Sequence, residues 1–335
     1  MTDLRLVQFT DSHGTRKVAR VVDLETLEVI SGPATLYELA DSAIAAGRSL
    51  AEAVEAAGVD GSADYAQVAN EGRLLSPIDH PDPAHLLVTG TGLTHLGSAG
   101  ARDQMHAKVL EDADESVTDS MRMFHLGLAG GKPADGTAGV QPEWFYKGNG
   151  SCLVAPGEAI VMPGFALDGG EEPELAGAYL IARDGTPWLL GYAVGNEFSD
   201  HVLERENYLY LAHSKLRPCS IGPELRVGPL PEDVVGRVAV NRDGAVLWES
   251  EWRSGEANMS HYVSGLEHHH FKYEQFRRPG DVHVHFLGTA VLSYASGVKT
   301  RVGDEFEISA EGFGRALRNE LEVTPYEGPV VVRSL

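Results

Sequence analysis

The chain has 335 residues, of which 43% are hydrophobic and 23% are charged, as is ordinary for a soluble globular enzyme with one large and one small domain. A formal net charge of -22 opposes binding to nucleic acid or to an anionic membrane, because phosphate groups would be repelled. Two cysteines are too few for a disulfide framework, no apolar run reaches membrane-spanning length, and the first residues lack the apolar core of a secretion signal. We therefore expect a cytoplasmic protein.

The first 85 residues predict a small α/β domain. Residues 4–9 and 17–22 alternate apolar and polar side chains, as the two strands of a β-hairpin do. Residues 35–38 and 49–52 have the pattern of capping boxes, and each precedes an alanine-rich stretch, which predicts two short helices. Prolines within residues 77–83 mark the exit from this domain.

The next part of the chain predicts a strand over residues 86–88, a glycine-rich turn up to His95 and a helix over residues 99–109. The turn lacks the glycine spacing of a dinucleotide fingerprint, so we exclude nucleotide binding. Residues 96–140 are rich in acidic residues, glycine and proline, and form either a lid that orders over substrate or a plain surface excursion. The alternation over residues 144–147 predicts a further strand.

Glu172 and Glu174 flank a proline in the middle of the chain. In an extended segment their side chains point to the same side with Cα atoms about 7 Å apart, so both carboxylates can meet one cation. Because proline removes a backbone donor, we expect this run at a sheet edge or at the first residue of a strand. Among 49 acidic residues, such a pair taken alone is more often a solvated surface.

A predicted β-hairpin brings a third acid to this pair. Apolar residues 178–182 and 187–194 flank a turn at Asp184 and Gly185, and the second strand leads to Glu197. Three carboxylates select a hard cation such as Mg²⁺ or Mn²⁺ and leave coordination positions for water and substrate. Asp200 is the alternative third ligand.

These acids belong to motifs that resemble the fumarylacetoacetate hydrolase superfamily. The motifs are Glu172-Pro-Glu174, Gly191-Tyr-Ala-Val-Gly-Asn-Glu197 and Cys219-Ser-Ile-Gly-Pro223. The run Glu206-Asn-Tyr-Leu-Tyr-Leu-Ala-His-Ser-Lys215 is similar to one in the superfamily's 2-keto-3-deoxy-pentonate dehydratases, and the whole chain resembles a bacterial family linked with pentose catabolism. The superfamily's usual third ligand is Asp, where this chain has Glu197.

The resemblance covers essentially all of the chain and implies an α+β, mostly β fold. It implies a mixed β-sandwich or β-roll catalytic domain over residues 86–322, after the small N-terminal domain of residues 1–85 and before a C-terminal tail of residues 323–335. It also implies a homodimer.

The activity implied by the resemblance is that of a lyase dependent on Mg²⁺ or Mn²⁺. This enzyme would dehydrate a 2-keto-3-deoxy sugar acid, such as 2-dehydro-3-deoxy-L-arabinonate, to 2-oxoglutarate semialdehyde in pentose catabolism. A 2-keto acid binds a divalent cation through its carboxylate and keto oxygens, which acidifies the protons on C3. We predict that Lys215, its pKa lowered by enclosure and by the field of the cation, removes one of these protons.

The resemblance adds three candidate residues and leaves two alternatives. Lys147 matches a Phe-x-Lys position near the substrate, and Thr289 lies in a Gly-Thr motif whose threonine binds substrate in the superfamily. His95 is the candidate for the histidine of a His-Glu dyad in superfamily hydrolases, but no glutamate follows it at the expected short distance. This absence disfavours a hydrolase. A C–C bond hydrolase of the acylpyruvate or fumarylacetoacetate type is nevertheless the first alternative. A non-enzymatic sugar- or Ca²⁺-binding module is the second, since carboxylate sites also suit calcium.

The remaining histidines and cysteines have less specific patterns. Three adjacent histidines, His268 to His270, lie in a predicted helix, where neighbouring side chains diverge by about 100° and cannot converge on one ion. We predict a surface or subunit contact for them. His283 and His285 share one face of a predicted strand, as core or cavity wall. Cys219 has no activating neighbour in the sequence, so we do not predict a nucleophile there.

Overall fold

A computed structural model of the protein describes residues 4–96 and 118–335. The helix predicted over residues 99–109, and the part of the predicted lid from residue 97 to residue 117, lie outside the described residues. No helix in the two described ranges combines the length and the apolar character needed to cross a bilayer.

The described residues contain 18 strands, which carry most of the architecture. The strands are β1 (Arg5–Thr10), β2 (Arg16–Val21), β3 (Thr26–Ile30), β4 (Val59–Asp64), β5 (Leu74–Leu75), β6 (Leu86–Gly92), β7 (Glu143–Asn149), β8 (Leu153–Val154), β9 (Ile160–Met162), β10 (Pro173–Ile181), β11 (Pro187–Asn196), β12 (Cys219–Ile221), β13 (Leu225–Arg226), β14 (Val234–Arg242), β15 (Ala245–Ser254), β16 (Val282–Phe286), β17 (Glu305–Ala310) and β18 (Leu317–Val323).

Seven α-helices connect these strands within the described residues, and several begin at a side chain that caps them. The helices are α1 (Leu36–Ala45), α2 (Leu50–Ala57), α3 (Tyr65–Asn70), α4 (Asp119–Gly130), α5 (His201–Glu206), α6 (Leu211–Ser214) and α7 (Val263–Phe271). The two helices predicted from capping boxes are α1 and α2. Ser49 and Glu52 form both bonds of the box at α2, whereas at α1 only the bond from the Glu38 amide to Thr35 is made.

The larger sheet has 13 strands and is mixed. Its main order is β4, β3, β2, β1, β13, β11, β10, β16, β6, β7, while β5, β8 and β12 pair at the side of this path. Most pairs are antiparallel, but β16 pairs with β6 and β12 pairs with β8 in parallel. The strands of the predicted N-terminal domain continue this sheet, because β1 pairs with β13. The predicted domain boundary after residue 85 stays a prediction.

A second sheet of five strands, in the order β15, β14, β17, β18, β9, packs on the middle of the first. One hydrophobic cluster joins Leu175 and Tyr192 of the larger sheet to Val238 and Ile308 of the smaller one. Burial of these side chains holds the two sheets face to face. The structure thus confirms the predicted α+β, mostly β fold with a β-sandwich at its centre.

The predicted hairpin in the middle of the chain is formed by β10 and β11. Pro173 pairs with Asn196 and Glu174 with Gly195, so the acidic motifs at the two strand ends are adjacent. Pro173 is the first residue of β10, which was one of its two expected positions. The other, a sheet edge, is wrong, because β10 lies between β11 and β16 and all nine of its residues are buried.

Candidate metal centre and active site

The three acids of the predicted metal site converge at the open end of the β10–β11 hairpin. Glu172 immediately precedes β10, Glu174 is its second residue, and Glu197 immediately follows β11. The amide of Glu197 donates a hydrogen bond to the carbonyl of Glu172 at 3.0 Å, which continues the strand pairing. All three side chains are buried, and one carboxylate oxygen from each lies within 4.8 Å of the others.

The chemistry of this donor set fits a hard divalent cation. Mg²⁺ takes oxygen ligands at about 2.1 Å, which places neighbouring ligand oxygens roughly 3 to 4 Å apart. The three carboxylate oxygens lie within 4.8 Å of one another, close to that separation. Glu172, Glu174 and Glu197 would therefore hold Mg²⁺ or Mn²⁺, as their sequence spacing predicts.

Electrostatics within the cluster also favour a cation. Burial, together with repulsion from Glu197 and Glu172, raises the pKa of Glu174 well above its usual range. Burial likewise raises the pKa of Glu197, although Lys147 and Lys215 oppose the rise. Only Glu172 has a lowered pKa, because the charges of Lys215 and His201 outweigh its burial. A positive charge placed between these acids would relieve the repulsion that Glu174 experiences.

Lys215 bridges two of the acids. It follows α6, and its Nζ lies 2.6 Å from Glu172 Oε1, 2.6 Å from Glu197 Oε2 and 3.8 Å from Glu204 Oε2. Burial lowers the pKa of Lys215, but the three carboxylates raise it well above its usual range. In this arrangement the carboxylates dominate over enclosure, and the predicted lowering, which includes the field of a bound cation, stays a prediction. A cation on the same carboxylates would oppose them and shift the pKa downward.

Lys147 is fixed on the other side of Glu197. This side chain is buried on β7, and its Nζ lies 2.5 Å from Glu197 Oε1, 2.6 Å from the carbonyl of Phe198 and 3.1 Å from the carbonyl of Lys215. These bonds engage all three donors of the ammonium group. The substrate contact predicted for Lys147 consequently requires one of these bonds to break.

The ring of His201, which no motif of the sequence indicated, contacts the carboxylate of Glu172. His201 begins α5, and its Nε2 lies 3.1 Å from Glu172 Oε1 while its Nδ1 lies 3.5 Å from Asp168 Oδ2. Burial lowers the pKa of His201, but Asp168 and Glu172 raise it more, to about 10. The one available signal was its position four residues beyond Glu197, close to the acidic motif.

Asp200, the alternative third ligand, is engaged elsewhere. One carboxylate oxygen accepts the amide of Leu203 at 2.9 Å and so caps α5. The other accepts the amide of Leu167 and the guanidinium of Arg217, both at 2.9 Å. Asp200 thus stabilises the start of α5 and the position of Arg217. Glu197 is the acid whose carboxylate lies close to those of Glu172 and Glu174.

Thr289 lies in a short loop, residues 288–293, whose two ends are hydrogen-bonded to Glu174 and Glu171. Gly288 donates its amide to Glu174 Oε2 at 2.7 Å, while Ser293 donates its amide and its hydroxyl to Glu171 at 2.7 and 2.8 Å. Gly288 has a φ of 98°, a conformation that favours glycine. Thr289 is half-buried within this loop, next to the residue that contacts Glu174.

His95 lies beside Gly288, the first residue of the same loop. A Cβ built on Gly288 would lie 3.3 Å from His95 Nδ1. The ring is buried, with Nδ1 3.0 Å from Thr94 Oγ1 and Nε2 2.9 Å from Ser254 Oγ, and burial lowers its pKa to about 3. The structure therefore places the predicted catalytic histidine next to Gly288 as a neutral ring whose two nitrogens both contact hydroxyl groups.

Three further histidines, His270, His283 and His285, form a buried cluster. His270 Nε2 lies 3.0 Å from His283 Nδ1, and the His270 ring stacks on His285 with centroids 4.7 Å apart. The predicted surface position is right for His268, which is exposed, but wrong for His270, which packs against β16. In residues 4–96 and 118–335, no other three His, Cys, Asp or Glu side chains converge as the three glutamates do.

Two curated proteins are similar to this chain in sequence. A probable 2-keto-3-deoxyxylonate dehydratase of Haloferax volcanii is 31% identical over 182 residues, which are 52% of this chain and 58% of the relative. The 2-dehydro-3-deoxy-D-arabinonate dehydratase of Saccharolobus solfataricus is 28% identical over 189 residues, 54% of this chain and 53% of the relative. The chain thus spans little more than half the length of these relatives. No family model matches it.

Solved structures are similar over nearly the whole chain. A 2-keto-3-deoxy-D-arabinonate dehydratase complexed with magnesium and 2,5-dioxopentanoate has a TM-score of 0.69 at 19% identity and covers 96% of this chain and 100% of its own. A 2-hydroxyhepta-2,4-diene-1,7-dioate isomerase from Mycobacterium marinum has a TM-score of 0.56, also at 19% identity, over 96% of this chain and 98% of its own. These comparisons confirm the predicted resemblance: the chain has an α+β fold of the fumarylacetoacetate hydrolase type, and its sequence is similar to 2-keto-3-deoxy sugar-acid dehydratases.

Proposed function

We propose that this chain is a dehydratase dependent on Mg²⁺ or Mn²⁺ that converts a 2-keto-3-deoxy-pentonate to 2,5-dioxopentanoate. The observation that carries the proposal is the buried convergence of Glu172, Glu174 and Glu197 with Lys215 Nζ only 2.6 Å from two of them. Similarity to two dehydratases of such acids, and to a dehydratase structure with magnesium and 2,5-dioxopentanoate, supports it.

Glu172, Glu174 and Glu197 would hold the cation. When bound, the cation supplies a Lewis acid for the keto group and positive charge against the three carboxylates. Burial of the acids keeps bulk water away, which strengthens every charge interaction within the site. The loop of residues 288–293 would position the carboxylate end of the substrate through Thr289.

Lys215 Nζ would move the proton. As a neutral amine it takes a proton from C3 of the substrate, the C–H electron pair forms the C3–C4 double bond, and the C4 hydroxyl leaves as water with the proton that the amine has gained. The resulting 5-hydroxy-2-oxopent-3-enoate tautomerises to 2,5-dioxopentanoate as one proton shifts from C5 to C3 and the hydroxyl proton shifts to C4. Lys147 would keep Glu197 in place as a fixed positive charge, through its contact with Glu197 Oε1. His201 would orient Glu172 in the same way.

The proposal is tested by incubating the purified protein with Mg²⁺ and 2-keto-3-deoxy-pentonates and measuring 2,5-dioxopentanoate by mass spectrometry. Lys215→Met should lower turnover at least about 100-fold, because the proton acceptor is removed. The matched control is Lys272→Met, which removes an exposed lysine that contacts Gln141 and should leave turnover unchanged. Pyruvate release from an acylpyruvate, without any 2,5-dioxopentanoate from the pentonates, would instead establish the hydrolase alternative. Absence of turnover with either substrate class would favour the binding module.

The predicted homodimer and cytoplasmic location remain predictions. Light scattering after size-exclusion chromatography would give the mass of the assembly, for comparison with a protomer mass of 36.0 kDa.

A further inference from the structure

The two cysteines of the sequence are far apart along the chain but meet in the fold. Cys152 ends a single 3₁₀ turn just before β8, and Cys219 is the first residue of β12. The two strands pair in parallel with Cys219 opposite Leu153, so Cys152 is one residue from direct register with Cys219. Nothing in the proposed dehydration uses either thiol.

Their separation suits a disulfide. Strands spaced about 4.8 Å apart with a rise of about 3.3 Å per residue place such diagonal neighbours about 6 Å apart between Cα atoms. Disulfides span Cα separations of about 4.4 to 6.8 Å. Cys152 also packs against the hydrophobic cluster to which Cys219 belongs, so both side chains face the same part of the core.

The two thiols differ in access and acidity. Cys152 is partly exposed and Cys219 is fully buried. A hydrogen bond from Cys219 and the nearby charge of Lys147 lower the pKa of Cys152 in spite of its burial, whereas burial raises the pKa of Cys219. Cys152 is therefore the thiol that a small oxidant can reach and that reacts as a thiolate, and Cys219 is placed to react second.

We propose that Cys152 and Cys219 form a modification site, at which a small-molecule disulfide such as oxidised glutathione produces an intramolecular disulfide. The Cys152 thiolate attacks one sulfur of glutathione disulfide, and one glutathione thiolate leaves. Cys219 then gives up its proton and attacks the Cys152 sulfur, and the second glutathione thiolate leaves. Two protein thiols are oxidised, and one disulfide is reduced to two thiols.

The disulfide would join the two ends of the chain segment that carries the proposed active-site residues. Residues 152–219 include Glu172, Glu174, Glu197 and Lys215. β12 also pairs with β11 at Asn196, next to Glu197. Oxidation would thus fix the strand after Lys147 to the strand beside Glu197.

The experiment uses the full chain, reduced, freed of reductant and incubated with oxidised glutathione. We expect an intact mass lower by two hydrogen atoms, loss of both thiols measured after denaturation, and full recovery with dithiothreitol. Retention of both thiols, a lasting glutathione adduct on the wild-type chain, or a disulfide between two chains would overturn the proposal. The readout needs no substrate, so it succeeds or fails independently of the proposed dehydration.

Two single-residue variants test which cysteine reacts first. Cys219→Ser should retain glutathione on Cys152, since the thiol that displaces it is gone. Cys152→Ser should remain unmodified because Cys219 is buried. A glutathione adduct on Cys219 in the folded Cys152→Ser variant would contradict the assigned order. If either variant fails to fold, as judged by circular dichroism, the wild-type mass and thiol count still decide the proposal.

Discussion

Each oxygen of the Glu197 carboxylate contacts a different lysine. Oε1 contacts Lys147 and Oε2 contacts Lys215, while the Ser199 hydroxyl lies within 3.3 Å of both oxygens. The sequence predicted that Glu197 and Lys215 meet, because both belong to recognisable motifs. The local sequence did not predict that Lys147 would use all its donors on protein atoms, because two of its acceptors are backbone carbonyls that only the fold brings there.

Glu197→Gln should weaken Mn²⁺ binding by at least about 10-fold, since one anionic ligand is replaced by a neutral amide. Isothermal titration with Mn²⁺ measures this. Asp200→Asn is the matched control: it should leave Mn²⁺ affinity unchanged while lowering the free energy of unfolding by about 3 kcal/mol, because Arg217 loses its buried anionic partner. The opposite pattern, with weakened Mn²⁺ binding only in Asp200→Asn, would make Asp200 the third ligand.

His201→Asn should weaken Mn²⁺ binding by about 10-fold, since groups that orient a metal ligand typically contribute this much. Glu172 would lose its 3.1 Å contact with the ring and adopt other rotamers. The measurement is Mn²⁺ titration followed by electron paramagnetic resonance, with the exposed His268→Asn as control. Unchanged affinity and an unchanged spectrum in His201→Asn would leave the histidine with a packing role alone.

At the scale of elements, the β10–β11 hairpin was predictable because its strands and turn are contiguous in sequence. The central position of β10 was not, because its second neighbour, β16, comes from residues about a hundred positions later. The same long-range pairing explains why the buried position of His270 was not predicted. Only the packing of α7 on β16 turns His270 inward onto His283 and His285.

This histidine cluster should make the fold sensitive to acid. Burial lowers the pKa of His283 to about 4 and of His285 to about 3, below the usual 6.5, with a further lowering at His285 from His283. The unfolded chain therefore binds more protons below pH 6.5, so stability is full above that pH and is lost as the pH falls toward 4. The loss approaches about 1.4 kcal/mol per pH unit for each histidine.

Urea unfolding between pH values of about 7 and 5 measures this loss. His285→Gln removes one titrating ring and can still bond Thr89, so its stability should fall less steeply with acid than that of the wild-type chain. The exposed His268→Gln is the control and should keep the wild-type slope. Equal slopes in all three proteins would refute a contribution from the cluster.

At the scale of the whole molecule, one hydrophobic core spans the predicted boundary at residue 85. Leu6, Val18 and Leu36 belong to the same cluster as Ala176 and Val284. Composition and motifs predicted a small first domain and a large second one. The sequence could not indicate that the strands of both parts would form one sheet, because the pairing of β1 with β13 joins residues more than two hundred positions apart.

A fragment of residues 86–335 should therefore fail to fold alone. Each buried apolar side chain lost contributes roughly 1.5 to 3 kcal/mol, and several such losses exceed a typical net stability of about 5 to 15 kcal/mol. Circular dichroism and thermal unfolding of the fragment, beside the full chain, measure this. A cooperative thermal transition in the fragment would establish residues 1–85 as a separable unit.

The loop of residues 288–293 also suggests how substrate preference could change without loss of the metal centre. Both of its ends are bonded to acids of one short segment, Gly288 to Glu174 and Ser293 to Glu171. Between these anchors Thr289 and Ala290 are half-buried, whereas Val291 packs against the core and Leu292 is buried. Libraries restricted to positions 289 and 290 would then vary the side chains next to Glu174 and leave the backbone anchors and the core intact.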